Sequence, residues 1–164
     1  MERILDVAQF IFEEYKKQAG KAVDEMKLHK LLYFAQRENI AITGEPLFQE
    51  TFQGWKYGPV SPAVRENFTK DGIYAKTNEI AAESAYILRN VILEYGALAS
   101  WKLSEISHKE ISWKNSRKGM SEGDIGTEEL KLEDIKKDAE RVRPYDHIWD
   151  MYYDEFEDAE EIEV

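Results

Sequence analysis

The chain has 164 residues and contains no cysteine, which excludes several kinds of chemistry. Without thiols it has no disulfide framework, no thiolate nucleophile and no cysteine-based zinc site, and the absence suits a reducing cytoplasm. Long apolar runs are missing too. Glu2, Asp6, Glu13 and Glu14 interrupt the first residues, which therefore lack the apolar core of a signal peptide or membrane span. We expect a cytoplasmic protein that does not enter membranes.

The residue patterns of common catalytic and cofactor sites are absent as well. The glycines form neither GxGxxG nor GxxxxGK[ST], and no GxSxG elbow is present. No two of the three histidines, His29, His108 and His147, stand at metal-site spacing. We therefore predict no catalytic residues, no cofactor and no metal. A hydrolase site assembled only in three dimensions is the alternative left open.

Positive charge is scarce at the C-terminal end of the chain. The formal net charge is −11, and residues 144–164 hold nine acidic residues and no Lys or Arg. Without those nine, 24 acidic residues face 22 basic ones, so the remainder carries only about −2. An acidic tail repels nucleic acid and anionic membranes and attracts a basic protein over long range. We expect no direct nucleic-acid binding.

The same tail carries regularly spaced apolar side chains. They recur at helical steps and are Tyr145, Ile148, Trp149, Tyr152, Tyr153 and Phe156. One interpretation is packing on the protein's own body. The other is an aromatic anchor for a partner protein, in which Trp149, Tyr152, Tyr153 and Phe156 make contact.

The periodicity of the remaining sequence predicts a mainly α fold with a small antiparallel β-hairpin, a compact single α+β domain over 1–142 followed by the segment 143–164. A first helix ends at Gly20, and a second runs from an Asp24 N-cap to about Glu38. The hairpin is expected within 45–57. Helices follow from Ser61-Pro62 through Phe68, over 80–95, from Ser100, and over 133–142, with a loop at 118–126.

Two blocks of sequence carry a family resemblance. The first comprises LHKLLYFAQ at 28–36, GEPLFQETFQGWKYGPVSPAV at 44–64, and a later NF and Gly72. The second is YGALASWKLSEISHKEISWKNSR at 95–117, although Ser112 and Ser116 stand where the family often has Pro and Ala. Together they resemble the Panacea domain, also described as SocA-like antitoxins or phage-associated GepA-like proteins. The resemblance covers roughly residues 1–142.

The resemblance implies an antitoxin that neutralises a cognate toxin through direct protein–protein contact, with no enzymatic activity. It does not identify the toxin, because the family's domain is paired with unrelated toxins. Some relatives look like adaptors that deliver the toxin to an ATP-dependent protease, so that role is one alternative. An acidic phage-type inhibitor that mimics nucleic acid is another.

Several residues of the two blocks are candidates for the partner-binding surface. If they are exposed together, Trp55, Tyr57, His108, Trp113 and Arg117 would form an aromatic and arginine-containing patch, with each anchor contributing about 2 kcal/mol. The alternative is that these five residues pack within the protein's own fold. Gly58, Pro59 and Pro62 are interpreted as structural turn residues, because turns favour these types for backbone reasons.

Overall fold

The computed structural model describes residues 1–142, so the predictions made for 143–164, including contacts by Trp149, Tyr152, Tyr153 and Phe156, lie outside the described residues. The elements, in chain order, are α1 (Ile4–Ala19), α2 (Glu25–Thr43), β1 (Gln53–Trp55), β2 (Gly58–Val60), α3 (Pro62–Asn67), β3 (Phe68–Thr69), β4 (Gly72–Ile73), α4 (Ala82–Tyr95), α5 (Ser100–Ser107), α6 (Ile111–Ser116) and α7 (Leu132–Glu140).

The helix boundaries predicted from capping residues are largely confirmed. Gly20 ends α1 in the left-handed conformation at φ 75°, and its N–H bonds the carbonyl of Lys16. The Asp24 side chain caps α2 by accepting from the Lys27 N–H at 2.8 Å. Ser61 caps α3, which begins with Pro62 as expected.

Helix α2 is longer than predicted and lies at the centre of the fold. It continues past Glu38 to Thr43 because nothing breaks it before Gly44, which adopts φ 80°. It packs against α1, α4, α5, α7 and β2. Its fully buried apolar side chains form the middle of the core and are Leu28, Leu31, Leu32, Tyr33, Phe34 and Ala35.

Because α2 is surrounded on all sides, its polar side chains are buried too, and they bind the loops around it. Gln36 accepts from the Leu47 N–H at 2.7 Å and donates to the Phe48 carbonyl at 2.9 Å. Lys27 donates to the Gly96 carbonyl at 2.9 Å. Buried polar groups without such partners would cost free energy, so these contacts fix the loops in place.

The first hairpin lies later in the chain than predicted. Strand β1 falls inside 45–57, but β2 follows it, with Trp55 opposite Gly58 and a two-residue turn at Lys56 and Tyr57. Gly58 and Pro59 therefore stand in a strand instead of a turn, a shift that φ 120° at Gly58 permits directly after the tight turn. A second hairpin that the sequence did not indicate pairs β3 with β4.

In the C-terminal half of the described chain, α4, α5 and α7 pack against α2. The 80–95 helix is confirmed as α4, and Tyr95 stacks on Phe34 with ring centroids 4.4 Å apart. Helix α6, which was not predicted, receives its N-terminal cap from α7, because Asp138 accepts from the N–H groups of Ile111 and Ser112. The fold class is confirmed: one compact, mainly α domain with small antiparallel hairpins.

Candidate functional site

Helix α6 holds the β1–β2 hairpin against the body of the protein. The indole N–H of Trp113 donates to the Trp55 carbonyl at 2.8 Å. Gly54 allows α6 to approach this closely, since a Cβ at that position would overlap the Ser116 hydroxyl. Trp113 and Trp55, both singled out in the sequence, are therefore brought together across two elements.

Arg117 is buried, and its guanidinium binds backbone carbonyls on both sides. Nη1 donates to the Gly54 carbonyl at 2.9 Å, and Nη2 donates to the carbonyls of Ser121 and Asp124 at 3.1 and 2.7 Å. These bonds pin the loop after α6 onto strand β1. The structure thus gives Arg117 an internal set of partners, and direct contact with a partner protein stays a prediction.

His108 stacks on Trp113 behind the hairpin. Their ring centroids are 4.1 Å apart and the planes are inclined by 12°. Burial lowers the pKa of His108, and the positive charge of Lys30 lowers it further. Its Nε2 is buried and has no hydrogen-bond partner among the residues described. His108 is therefore favoured in its neutral form, packed against an aromatic ring.

The opposite side of the hairpin faces a groove with a volume of about 500 Å³. We call it the hairpin groove. It is bounded by the first turns of α2 and by the hairpin, with one residue each from α3 and from the loop after α6, and its lining consists of Glu25, Met26, His29, Lys30, Trp55, Lys56, Tyr57, Val60, Arg65 and Ile125.

Lys30 lines the hairpin groove and is 1% exposed. Its Nζ donates to the Pro59 carbonyl at 3.3 Å. Burial lowers the pKa of Lys30 to about 8, although the negative charge of Asp24 opposes that shift. The hairpin can cover Lys30 because residue 58 is glycine, since a Cβ there would lie 2.7 Å from Lys30 Cε and 2.5 Å from Ser107 Oγ.

An ion-pair network forms one rim of the groove. Glu25 Oε2 accepts from Arg65 Nη1 at 2.9 Å and lies 3.0 Å from His29 Nε2. His29 Nδ1 accepts from the Ser61 N–H at 3.2 Å, so its other nitrogen carries the proton. Burial lowers the pKa of His29 to about 4, which keeps the ring neutral at pH 7 despite Glu25. This histidine is therefore a buried residue whose two ring nitrogens both have hydrogen-bond partners.

The groove also presents aromatic and cationic side chains. Tyr57 is 52% exposed, and Lys56 Nζ lies 5.2 Å from the centroid of its ring. The guanidinium carbon of Arg65 lies 5.0 Å from the Trp55 ring. Met26 at 39% exposure adds a flexible apolar side chain. Exposed aromatic, methionine and arginine side chains are the types enriched in protein interfaces.

The structure divides the candidate residues between the two sides of the hairpin. Trp55 and Tyr57 line the hairpin groove, whereas His108, Trp113 and Arg117 support it from behind. Pro62 is the first residue of α3, where a missing N–H is tolerated. The five candidate partner-binding residues therefore do not form one exposed patch, because Arg117 is buried. That Gly58, Pro59 and Pro62 support the fold without contacting a partner stays a prediction.

Four further residues line the groove but were not predicted from the sequence, namely Met26, Lys30, Arg65 and Ile125. The sequence did contain a signal that Lys30 is buried. The helix around it is apolar on almost every side, and a helix of that kind is buried together with its charged residues. Within residues 1–142 no cluster of three metal-ligating side chains occurs, and no helix there is long and apolar enough to cross a membrane.

Comparison with known proteins finds a family match in the region that builds this site. The sequence model of the family described as "Antitoxin SocA-like, Panacea domain" matches residues 28–114, from α2 to α6. A curated relative, Antitoxin SocA of Caulobacter vibrioides (strain NA1000 / CB15N), is 40% identical over 50 residues, which cover 30% of this chain and 27% of that protein. No solved structure matches the chain. Because the family match covers more than half of its residues, the chain belongs to the SocA-like antitoxin, Panacea domain family.

Proposed function

We propose that this protein is an antitoxin that binds a cognate toxin directly and blocks its activity without catalysing a reaction. The observation that carries the proposal is the family match over 28–114, which contains the hairpin, most of α2 and the first four residues of α6. The relative that is similar over 50 residues is itself named an antitoxin. The lack of cysteine is consistent with action in the cytoplasm, where we place this function.

The hairpin groove supports a binding role. It combines exposed aromatic surface at Tyr57, apolar side chains at Met26 and Ile125, and cations at Lys56 and Arg65. Such a mixture provides both the apolar contact that gives affinity and the polar rim that gives orientation.

A co-expression experiment tests the proposal. The reading frame adjacent to the gene for this protein is induced alone and together with it, growth is recorded, and the purified proteins are mixed and analysed by size-exclusion chromatography. We expect the neighbour alone to arrest growth, co-expression to restore it, and the two proteins to elute as one complex. Growth arrest that persists in the presence of this protein would contradict the proposal.

The half-life of the toxin separates direct blocking from delivery to a protease. Direct blocking predicts that the toxin persists in cells while its activity is lost. If the toxin instead disappears, and reappears when an ATP-dependent protease is removed, the adaptor role replaces direct blocking. Both proteins are followed by immunoblot after protein synthesis is stopped.

The acidic segment 144–164 leads us to propose further that the toxin is basic. Long-range attraction would then accelerate association, and the association rate constant would fall as ionic strength rises. Removing residues 144–164 should reduce both the rate and its salt dependence, measured by stopped-flow mixing with the toxin. If neither changes, the segment takes no part in binding.

A further inference from the structure

The hairpin groove contains a buried positive charge with unused hydrogen-bonding capacity. An ammonium group has three donors, and the Lys30 ammonium makes one long bond, to Pro59, within the described residues. Lys27, also on α2, differs because its Nζ donates both to Gly96 and to Tyr15. Asp24 attracts Lys30, but none of the ion pairs within residues 1–142 includes Lys30. A buried charge with so few partners favours a ligand that supplies an acceptor.

The charge of the groove lining favours an acidic ligand. Lys30, Lys56 and Arg65 contribute three positive charges, and Glu25 contributes one negative charge that Arg65 and the neutral His29 already share. The lining is therefore net positive on a protein whose total charge is −11. A carboxylate entering the groove would therefore meet a net attraction.

The shape and the walls of the groove favour a peptide segment. Met26, Val60 and Ile125 provide apolar surface, and Trp55 and Tyr57 provide aromatic rings. A volume of about 500 Å³ lies within the range of pockets that enclose a ligand of a few side chains. The lining thus suits one apolar or aromatic side chain next to one carboxylate.

We propose that the hairpin groove is the docking site for a short segment of the partner protein, which inserts an apolar or aromatic side chain beside Trp55 and Tyr57 and places a carboxylate against the Lys30 ammonium. This inference rests on the proposed function, since it names the surface that the antitoxin would use. Seven of the ten lining residues fall within the family match at 28–114, which supports a partner over the chain's own acidic segment at 144–164.

A peptide selection tests the chemistry of the ligand without knowledge of the toxin. A displayed library of random twelve-residue peptides is selected on the full chain, and enriched peptides are synthesised with a fluorophore for anisotropy titration. We expect an apolar or aromatic residue adjacent to Asp or Glu. Replacing that acid by its amide should weaken binding about tenfold or more, because a charge-assisted bond to a buried ammonium is lost.

Two variants of the groove and one matched control locate the binding. Lys30→Met keeps the length of the side chain and removes its charge, and Tyr57→Ala removes an exposed ring, so neither should unfold the protein. Tyr74→Ala removes an equally large ring that is 82% exposed outside the groove. We expect Lys30→Met to abolish the difference between acid and amide peptides, Tyr57→Ala to weaken both about tenfold, and Tyr74→Ala to change neither. Circular dichroism verifies that all three are folded.

Several outcomes would overturn the proposal. They include enrichment of peptides without an acid, and binding that is unaffected by both groove variants. A single-stranded oligonucleotide that displaces the selected peptide would identify nucleic acid as the ligand instead. If replacing Trp149, Tyr152, Tyr153 and Phe156 with serine tightens peptide binding more than threefold, the chain's own segment occupies the groove.

The failure of this inference is distinguishable from the failure of the proposed function. If the wild-type protein and both groove variants neutralise the toxin equally, the antitoxin function stands and the groove is not its docking site. If the wild-type protein does not neutralise the toxin, the proposed function fails, while the peptide titration still reports on the groove.

Discussion

Removal of the Asp138 carboxylate should strongly destabilise the fold. This buried side chain accepts from the N–H groups of Ile111 and Ser112 at 2.7 and 3.0 Å, from the Ser112 hydroxyl at 2.6 Å and from the Tyr33 hydroxyl at 2.9 Å. The first two bonds cap α6, which has no cap of its own. One carboxylate thus joins α7, α6 and α2.

The magnitude follows from the groups that Asp138→Ala would leave without a partner. The hydroxyls of Tyr33 and Ser112 lie 2.9 Å apart and would remain hydrogen-bonded to each other. The main loss of stability would therefore come from the two backbone N–H groups of α6 that are left without an acceptor. Each such group costs about 1–3 kcal/mol when it is left unsatisfied. We therefore expect a loss of about 3–4 kcal/mol, a large fraction of the roughly 5–15 kcal/mol typical of a domain.

Urea unfolding, followed by tryptophan fluorescence and circular dichroism, measures this loss. Asp134→Ala is the matched control on the same helix, because Asp134 is also buried but, within residues 1–142, its carboxylate pairs only with the exposed Lys137, at 3.8 Å. It should cost about 1 kcal/mol or less. Asp138→Asn should cost at least half as much as Asp138→Ala, since an amide offers one acceptor oxygen where two are used. Equal losses for Asp138→Ala and Asp134→Ala would refute the reasoning.

Two further predictions concern pH. Burial raises the pKa of Glu38 from 4.5 to about 7, with repulsion from Glu94 adding to the shift, so between these values the folded state holds a proton that the unfolded chain has released. The free energy of unfolding should fall as pH rises through that window, and Glu38→Gln should remove the fall; urea titrations at pH 5 and pH 7.5 measure it. Lys30 should have the opposite effect on stability. Its pKa is lowered from 10.5 to about 8, so the folded state releases this proton at lower pH than the unfolded chain, and the free energy of unfolding should rise between pH 8 and pH 10.5. Lys30→Met should lack this rise and be more stable than the wild type at pH 7, and a Lys30→Met protein less stable than the wild type would contradict the assignment.

The parts of the fold that the sequence predicted are those governed by local interactions. Gly20 ends α1 because a left-handed residue favours glycine, and Asp24 and Ser61 begin helices because their oxygens reach N–H groups three residues ahead. These effects act within one turn of helix, so residue type and spacing are sufficient. The predicted end of α2 at about Glu38 was wrong, because no residue before Gly44 provides a local signal that ends the helix.

The elements that were missed depend on contacts between distant parts of the chain. Helix α6 has only six residues and no side-chain cap, and it is completed by Asp138, more than twenty residues later. Lys30 was assigned no role because its burial results from Gly58 and Pro59 folding over it. The sequence shows that Lys30 is close to apolar residues, but it does not show which strand covers it.

Two glycines connect the fold to the candidate site. Gly54 lets α6 approach β1, and Gly58 lets the hairpin cover Lys30, so the absence of two side chains creates both the support behind the hairpin and the groove in front of it. A sequence motif that contains these glycines therefore marks a groove as well as a hairpin. Separating the two roles requires substitutions of residues that line the groove without supporting it. Tyr57 is such a residue, because its exposed ring faces the groove while the hairpin is held from behind by Trp113 and Arg117.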